Sequence, residues 1–162
     1  MTRSDTSPRP LVALGLATVL GVGYVGIAPG TFGSAVGLLL WAILPASPGV
    51  QAVVIVALFT IGSWSAGVAE RHFSRIDPSQ VVIDEVMGML ITLFLNPVGW
   101  AGAAVAFLLF RIADIVKPFP ADRLERVPGG VGVMADDAMA AVYANLALRA
   151  LVVLGQRVIV SR

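Results

Sequence analysis

Long apolar runs separated by short polar or proline-containing segments dominate the chain. The apolar runs cover residues 11–27, 33–44, 50–68, 86–95, 98–110 and 138–160. None of these runs alternates strictly between apolar and polar positions, and their lengths suit helices better than strands. The pattern therefore predicts an all-α protein, built as a compact bundle of several helices.

The polar positions predict how these helices are connected. The turns "PASP" at 45–48 and "NPVG" at 96–99 carry no charge, whereas segments 28–34, 70–85 and 111–137 are polar or charged. Asp77-Pro78 is typical of a helix start, with Asp as the N-cap and Pro in the first turn. A helix over 78–95 would be about 27 Å long, close to the ~30 Å of a bilayer core. If the next helix, over 97–116, runs back to the side where the first one started, the charged segments gather on one face of the bundle.

Composition places this bundle in a membrane. Apolar residues make up 57% of the chain, charged residues 13%, and the mean hydropathy is +0.89, whereas soluble domains carry about 25% charged residues. The net charge of +1 indicates no nucleic-acid partner. No cysteine is present, which excludes disulfides and cysteine nucleophiles. The single histidine, His72, is interpreted as a surface or interface residue rather than a ligand.

Arginines indicate the orientation of the bundle. All arginines between the terminal runs lie in the charged segments, and these are Arg71, Arg75, Arg111, Arg123 and Arg126. By the positive-inside rule, the face that carries them is cytoplasmic. Arginines at 3, 9, 157 and 162 oppose this orientation if both terminal runs cross fully, and the alternative is that the end helices lie at the interface. We expect a polar tail over 1–10, uncleaved, and a single helical domain over 11–162.

The motif "APGTFGS" at 28–34 could bind an anion. Glycines precede an expected helix start at Ser34, where backbone amides and the hydroxyls of Thr31 and Ser34 would face the ligand. The motif lacks the Gly-Lys-Ser/Thr of a P-loop. Taken alone, it is more simply explained as a Pro-Gly turn with a serine cap.

The motif "DPSQVVIDEVMG" at 77–88 places two acids in an apolar helix. Ionised Asp84 and Glu85 there would cost several kcal/mol unless paired or bound to a metal. Their side chains point about 100° apart, and Gly88 is expected to leave room beside Asp84. The structural alternative is an ion pair with Arg111. Asp77 is interpreted as an N-cap only.

The stretch "FRIADIVKPFPADRLERVPGGVGVMADD" at 110–137 contains the only lysine of the chain, Lys117. Arg111, Asp114 and Lys117 follow at intervals of three and share a helix face, and the next residue, a proline, ends that helix. A glycine-rich loop is expected to enter another helix at Asp136 or Asp137. N-capping is the alternative for one of these two acids, and residues 122–126 are interpreted as a solvated connection.

Together these residues suit phosphate chemistry at a membrane surface. Carboxylates are ligands that Mg²⁺ prefers, usually with substrate phosphate completing its shell. Arg111 and Lys117 suit phosphate oxygens. The combination predicts a site for a phosphorylated lipid headgroup, whose hydrolysis would require a metal. The absence of an Asp-x-Asp pair argues against an aspartyl-phosphate enzyme.

Four motifs in this order resemble those of phosphatidylglycerophosphatase A, a family of bacterial lipid phosphatases. They are "APGTFGS", "VVIDEVMG", "FRIADIVKPFP" and "GGVGVMADDAMAAVYA", and they span residues 28–144. The resemblance implies a helical, Mg²⁺-dependent enzyme that removes the terminal phosphate of phosphatidylglycerophosphate. An Ala-Gly pair is common in the family where this chain has Ala140-Ala141, a departure that bears on packing rather than chemistry.

The resemblance also selects site residues. The matched positions are Thr31, Asp84, Glu85, Asp114, Lys117, Asp136 and Asp137. The predicted catalytic and metal-binding residues are Asp84, Glu85, Asp114, Asp136 and Asp137. The predicted phosphate-binding residues are Thr31, Ser34, Arg111 and Lys117. The motifs do not decide which acids bind Mg²⁺ and which act as base or nucleophile.

We therefore expect a multi-pass phosphatase of the bacterial inner membrane, with its active site facing the cytoplasm and phosphatidylglycerophosphate as substrate. A homo-oligomer is compatible with the glycine-rich helices. One alternative is a small transporter or cation-binding protein that uses intramembrane acids. Another is a protein that binds a phospholipid without hydrolysing it.

Overall fold

Every regular element that the structure describes is helical. The computed structural model describes residues 8–124 and 127–160. Its helices are α1 (Pro8–Ala17), a 3-10 turn (Val22–Tyr24), α2 (Pro29–Ile43), α3 (Pro48–Phe73), α4 (Ile83–Leu93), α5 (Trp100–Val116), α6 (Ala121–Leu124) and α7 (Gly130–Val160). The prediction of an all-α bundle is confirmed.

Helix α4 lies at the centre of this bundle. Nine of its eleven residues are buried, and α2, α3, α5 and α7 all pack against it. On one side, Met89 and Leu93 of α4 join Phe110 and Leu148 in an apolar core. On the other side, Met87 packs with residues of α3 and α7 in a second core. The short central helix thus links the two halves of the interior.

Glycines allow the helices to approach closely. A Cβ at Gly37 of α2 would meet the backbone of Val86 on α4. A Cβ at Gly130 would meet the carbonyl of Ser63 where α7 crosses α3. The room expected beside Asp84 is absent, because the ring of Phe110 occupies the space in front of Gly88. The small residues here serve helix packing.

The start of α4 differs from the prediction. The helix begins at Ile83 rather than residue 78, so it is about 16 Å long and too short to cross a bilayer. The Val82 amide donates a hydrogen bond to the Ala17 carbonyl at 2.9 Å, and the carbonyl of Gln80 packs against Gly23. These contacts, with the end of α1 and with the 3-10 turn, draw residues 78–82 away from helical geometry. The interpretation of Asp77 as an N-cap is therefore wrong.

Other helix limits also differ. Helix α7 begins at Gly130, because the glycines fit against α3, so Asp136 and Asp137 lie in its second turn rather than at its start. Helix α2 begins at Pro29, and Ser34 lies inside it. The first apolar run is interrupted after Ala17, the end of α1. The predicted end of α5 before Pro118 is confirmed.

Two helices are long and apolar enough to cross a membrane. They are α3, over Pro48–Phe73, and the Gly130–Gly155 part of α7, with mean hydropathies of 2.0 and 1.7. Only 28% and 22% of their most apolar windows is buried inside the protein, whereas the core helix of a soluble domain would be mostly covered. Side chains such as Val53 and Leu154 are exposed, so the outer surface of the bundle is apolar.

Candidate active site

The charged segments meet in one cavity at the end of the bundle where α4 begins. The cavity has a volume of about 210 Å³. Its charged lining consists of Asp77, Asp84, Glu85, Arg111, Asp114, Lys117 and Asp137, and the backbone at Pro29 and Gly30 completes the wall. The uncharged turn at 96–99 follows the opposite end of α4. The expectation that the polar segments gather on one face is confirmed.

Three carboxylates converge in the buried part of this cavity. Oxygen atoms of Asp84, Glu85 and Asp137 lie within 4.8 Å of one another. Asp84 Oδ1, Glu85 Oε2 and Asp137 Oδ2 are buried and have no hydrogen-bond partner. Buried anionic oxygens without a donor are costly, so this carboxylate triad (Asp84, Glu85 and Asp137) is poorly satisfied by the protein alone.

The electrostatics of α4 reflect this arrangement. Burial raises the pKa of Asp84 well above its usual range, and the neighbouring charge of Glu85 raises it further. Burial also raises the pKa of Glu85 to about 7; the charge of Asp114 adds to this effect and that of Arg111 opposes it. A divalent cation would reverse these shifts, because an opposite charge favours the ionised form. The hard, unpartnered oxygen atoms therefore fit a cation such as Mg²⁺.

The two cations of the cavity each have a short ion pair. Arg111 Nη1 lies 2.6 Å from Asp114 Oδ2 and 3.7 Å from Glu85 Oε1. Lys117 Nζ lies 2.6 Å from Asp136 Oδ2. Asp114 and Asp136, both predicted metal ligands, thus each contact a cation at a distance typical of a strong charged hydrogen bond.

Backbone geometry contributes to the position of Lys117. The residue caps the C-terminus of α5 in a left-handed conformation, with φ at +45°, and its amide donates to the Ala113 carbonyl at 2.8 Å. A cation is favourable at this negative end of the helix dipole. Asp136 accepts at Oδ1 from the Asp137 amide at 2.9 Å, which fixes the carboxylate that faces Lys117.

Helix α2 contributes backbone more than side chains. The Ser34 hydroxyl is buried, donates to the Gly30 carbonyl at 2.9 Å and lies 3.5 Å from Arg111 Nη1. Thr31 is half-buried in the first turn and is not among the residues that line the cavity. The carboxylate of Glu85 instead lies against Gly30. Of the two hydroxyls, Ser34 reaches the site, through Arg111.

Sequence reasoning missed Asp77. Its Oδ2 lies 3.8 Å from Lys117 Nζ, and the residue lines the cavity. The Asp77-Pro78 pattern was already explained by helix capping. The one sequence feature that could have indicated a role for Asp77 in the site is that it shares a motif with Asp84 and Glu85. His72 is exposed and stacks edge-on against Phe73 at 5.0 Å, as expected of a surface histidine.

The sequence of the chain is similar to those of several known proteins. Residues 15–152 match the family model described as Phosphatidylglycerophosphatase A. A Bacteroides thetaiotaomicron protein, provisionally named a phosphatidylinositol-3-phosphatase, is 39% identical over 79% of this chain and 86% of its own length. Proteins named phosphatidylglycerophosphatase A from Haemophilus influenzae and Escherichia coli are 36% and 34% identical, over 84% and 85% of this chain and 86% and 79% of their own lengths. No solved structure matches the chain.

Proposed function

Since the chain belongs to the phosphatidylglycerophosphatase A family of phosphatases, we propose that it removes the terminal phosphate of phosphatidylglycerophosphate in a Mg²⁺-dependent hydrolysis that leaves phosphatidylglycerol. One observation carries the proposal. Three carboxylates, each with one buried oxygen that has no hydrogen-bond partner, lie in the same cavity as two cations held by ion pairs. That arrangement suits a phosphate monoester and a divalent cation together.

The carboxylate triad would hold the Mg²⁺ ion. Asp84 and Glu85 present oxygens from the first turn of α4, and Asp137 presents one from α7. A bound divalent cation supplies charge neutralisation for phosphate oxygens and acidifies water. Because a bound cation favours the ionised form of a carboxylate, Glu85 would serve as an ionised ligand in the Mg²⁺-bound enzyme.

Arg111 and Lys117 would bind the substrate phosphate. The guanidinium offers a planar set of donors and the ammonium a compact charge, and both suit phosphate oxygens. Asp114 and Asp136 keep these cations within the cavity, because each is buried and forms a 2.6 Å contact. We assign these two acids to the orientation of the phosphate-binding cations, and Ser34 to the support of Arg111.

The two long apolar helices support a proposal for the membrane arrangement. We propose a multi-pass protein of the bacterial inner membrane, with α3 and α7 crossing the bilayer and the cavity at the cytoplasmic side. Arg71 and Arg75 lie near the end of α3 that approaches the cavity, in agreement with the positive-inside rule. Asp136 is six residues into α7, about 9 Å from its start, at the depth of a lipid headgroup.

The experiment measures phosphate release by the protein purified in detergent. We expect release from phosphatidylglycerophosphate with Mg²⁺, its loss with EDTA and its recovery when Mg²⁺ is restored. Release that ignores chelation would refute the metal dependence. A protein that binds the lipid without any phosphate release would favour a phospholipid-binding function.

A second candidate substrate comes from the Bacteroides relative. Because that protein is named for phosphatidylinositol-3-phosphate, the substrate panel includes this lipid and phosphatidic acid. Faster turnover of either lipid than of phosphatidylglycerophosphate would change the substrate assignment. The transporter alternative predicts cation flux in liposomes without phosphatase activity. It is disfavoured because the acids lie in one cavity rather than along a path.

A further inference from the structure

Lys117 lies between two carboxylates from different parts of the chain. Asp136 of α7 approaches its ammonium at 2.6 Å, and Asp77, in the loop before α4, approaches at 3.8 Å. The Asp136 side chain is 2% exposed and that of Asp77 is 30% exposed. Asp77, which lines the cavity, is therefore the more exposed of the two partners, and Asp136 is the buried one.

The loop holds Asp77 in an unusual conformation. Its φ is +45°, whereas a residue before proline normally has an extended backbone. Left-handed backbone at a non-glycine residue costs about 1–3 kcal/mol and persists only where the surroundings enforce it. Here the Asp77 amide donates to Glu70 Oε1 at 3.3 Å, and Pro78 is fully buried. Lys117, which pairs with Asp77, also has a φ of +45°.

We propose that Asp77 is a positioning residue that, together with Asp136, directs the Lys117 ammonium toward the phosphate of the lipid substrate. The inference rests on the proposed function. A lysine side chain is long and flexible, so one carboxylate leaves its charge free to turn about a single contact. A second carboxylate, from the loop before α4, further restricts the directions that the ammonium can take.

Steady-state kinetics test this role through the Asp77→Asn variant. Asparagine tolerates left-handed backbone and keeps the side-chain shape, but it removes the charge. We expect KM to rise roughly two- to fivefold, the effect typical of a partly exposed ion pair, with a smaller change in kcat. Asp77→Glu should recover part of the affinity. An unchanged KM in a folded Asp77→Asn protein would overturn the proposal.

A second measurement does not depend on turnover. Lys117 is the only lysine, so an amine-reactive label followed by mass spectrometry reports on this one side chain. We expect faster labelling in Asp77→Asn than in wild type, wild-type rates in Asp77→Glu, and slower labelling of wild type with inorganic phosphate and Mg²⁺. Equal rates in wild type and Asp77→Asn, or no protection by phosphate, would overturn the role of Asp77.

The two measurements separate this inference from the proposed function. Wild-type protein that releases no phosphate from any lipid would refute the phosphatase activity. If labelling still responds to Asp77→Asn and to phosphate, the placement of Lys117 for an anion is supported. Asp77→Gly is the structural control, because glycine relieves the left-handed backbone. If Lys117 is labelled as fast in Asp77→Gly as in Asp77→Asn, and Asp77→Gly loses no thermal stability, the positioning role of Asp77 is supported.

Discussion

The Glu85 carboxylate lies against the backbone of Gly30, in the space that a Cβ at residue 30 would occupy. The same Cβ would lie 3.0 Å from Arg111 Nη1. Gly30 is in the first turn of α2, Glu85 in the first turn of α4 and Arg111 near the end of α5. One glycine thus allows three helices to bring a proposed metal ligand and a proposed phosphate-binding residue together.

Gly30→Ala should therefore displace the Glu85 carboxylate. We expect phosphatase activity to fall by about tenfold or more, because small displacements in a catalytic site are costly, and stability to change much less, because the added Cβ meets the ends of two flexible side chains. Activity assays and thermal unfolding check both effects. Gly26→Ala is the control, because a Cβ there meets no atom within 4 Å. Equal activity in the two variants would contradict the role of Gly30.

The carboxylate triad should lower the stability of the metal-free protein and be required for Mg²⁺ binding. Without Mg²⁺, Asp84→Asn and Asp137→Asn should be at least as stable as wild type, because a neutral amide replaces a buried acid that has one oxygen without a donor. Both should lose the rise in melting temperature that Mg²⁺ gives to wild type, together with activity. Titration with Mg²⁺ in a thermal unfolding assay measures this. Asp122→Asn on α6 is the control, and wild-type metal stabilisation in either triad variant would remove that residue from the metal site.

The raised pKa of Glu85 predicts a pH dependence in the metal-free protein. The folded-state pKa, about 7, exceeds the ordinary value of 4.5. The folded state therefore holds this proton more tightly, and the free energy of unfolding falls as the pH rises from about 4.5 through about 7. Between these two values the decrease from this one group approaches about 1 kcal/mol for each pH unit. Denaturant unfolding in EDTA across this range measures the effect.

The Mg²⁺ affinity of the protein should also depend on pH. Protons and Mg²⁺ compete for the same carboxylates, so Mg²⁺ affinity should weaken as the pH falls below about 7. Calorimetric titration at several pH values checks the competition. The Glu85→Gln variant should lose the corresponding part of the pH dependence of unfolding. An Mg²⁺ affinity that is constant across the range would exclude Glu85 as a ligand.

Arg111 should affect both substrate binding and stability. Arg111→Gln removes the partner of Asp114, which is 8% exposed, and leaving a buried charge unpaired costs about 3–5 kcal/mol. The double variant Arg111→Gln/Asp114→Asn should recover much of this stability without recovering activity. Thermal unfolding and phosphate release separate the two effects. Arg123→Gln is the control, because Arg123 is exposed and stacks over Phe119; full activity in the double variant would exclude phosphate binding by Arg111.

Local signals in the sequence determined much of the fold. Apolar runs without alternation predicted helices, and Pro118 marked the end of α5 correctly. Helix starts were less predictable, because long-range contacts compete with capping signals. Because of the hydrogen bond from Val82 to Ala17, α4 begins at Ile83 and not at the Asp77-Pro78 pattern. Because Gly130 packs against α3, α7 begins at Gly130, several residues before the expected start at Asp136 or Asp137.

The sequence by itself indicated most of the charged residues that line the cavity, since acids and cations in an apolar chain are stable only where they are paired or bound, but it missed Asp77 and included Thr31, which does not line the cavity. It could not determine how they are paired. Only the tertiary structure decided that Asp84, Glu85 and Asp137 converge, that Asp114 and Asp136 each contact a cation, and that Asp77 faces Lys117. The reason is physical: these contacts join different helices and loops, so their distances depend on how the helices cross, which glycines such as Gly30 and Gly130 set by close packing.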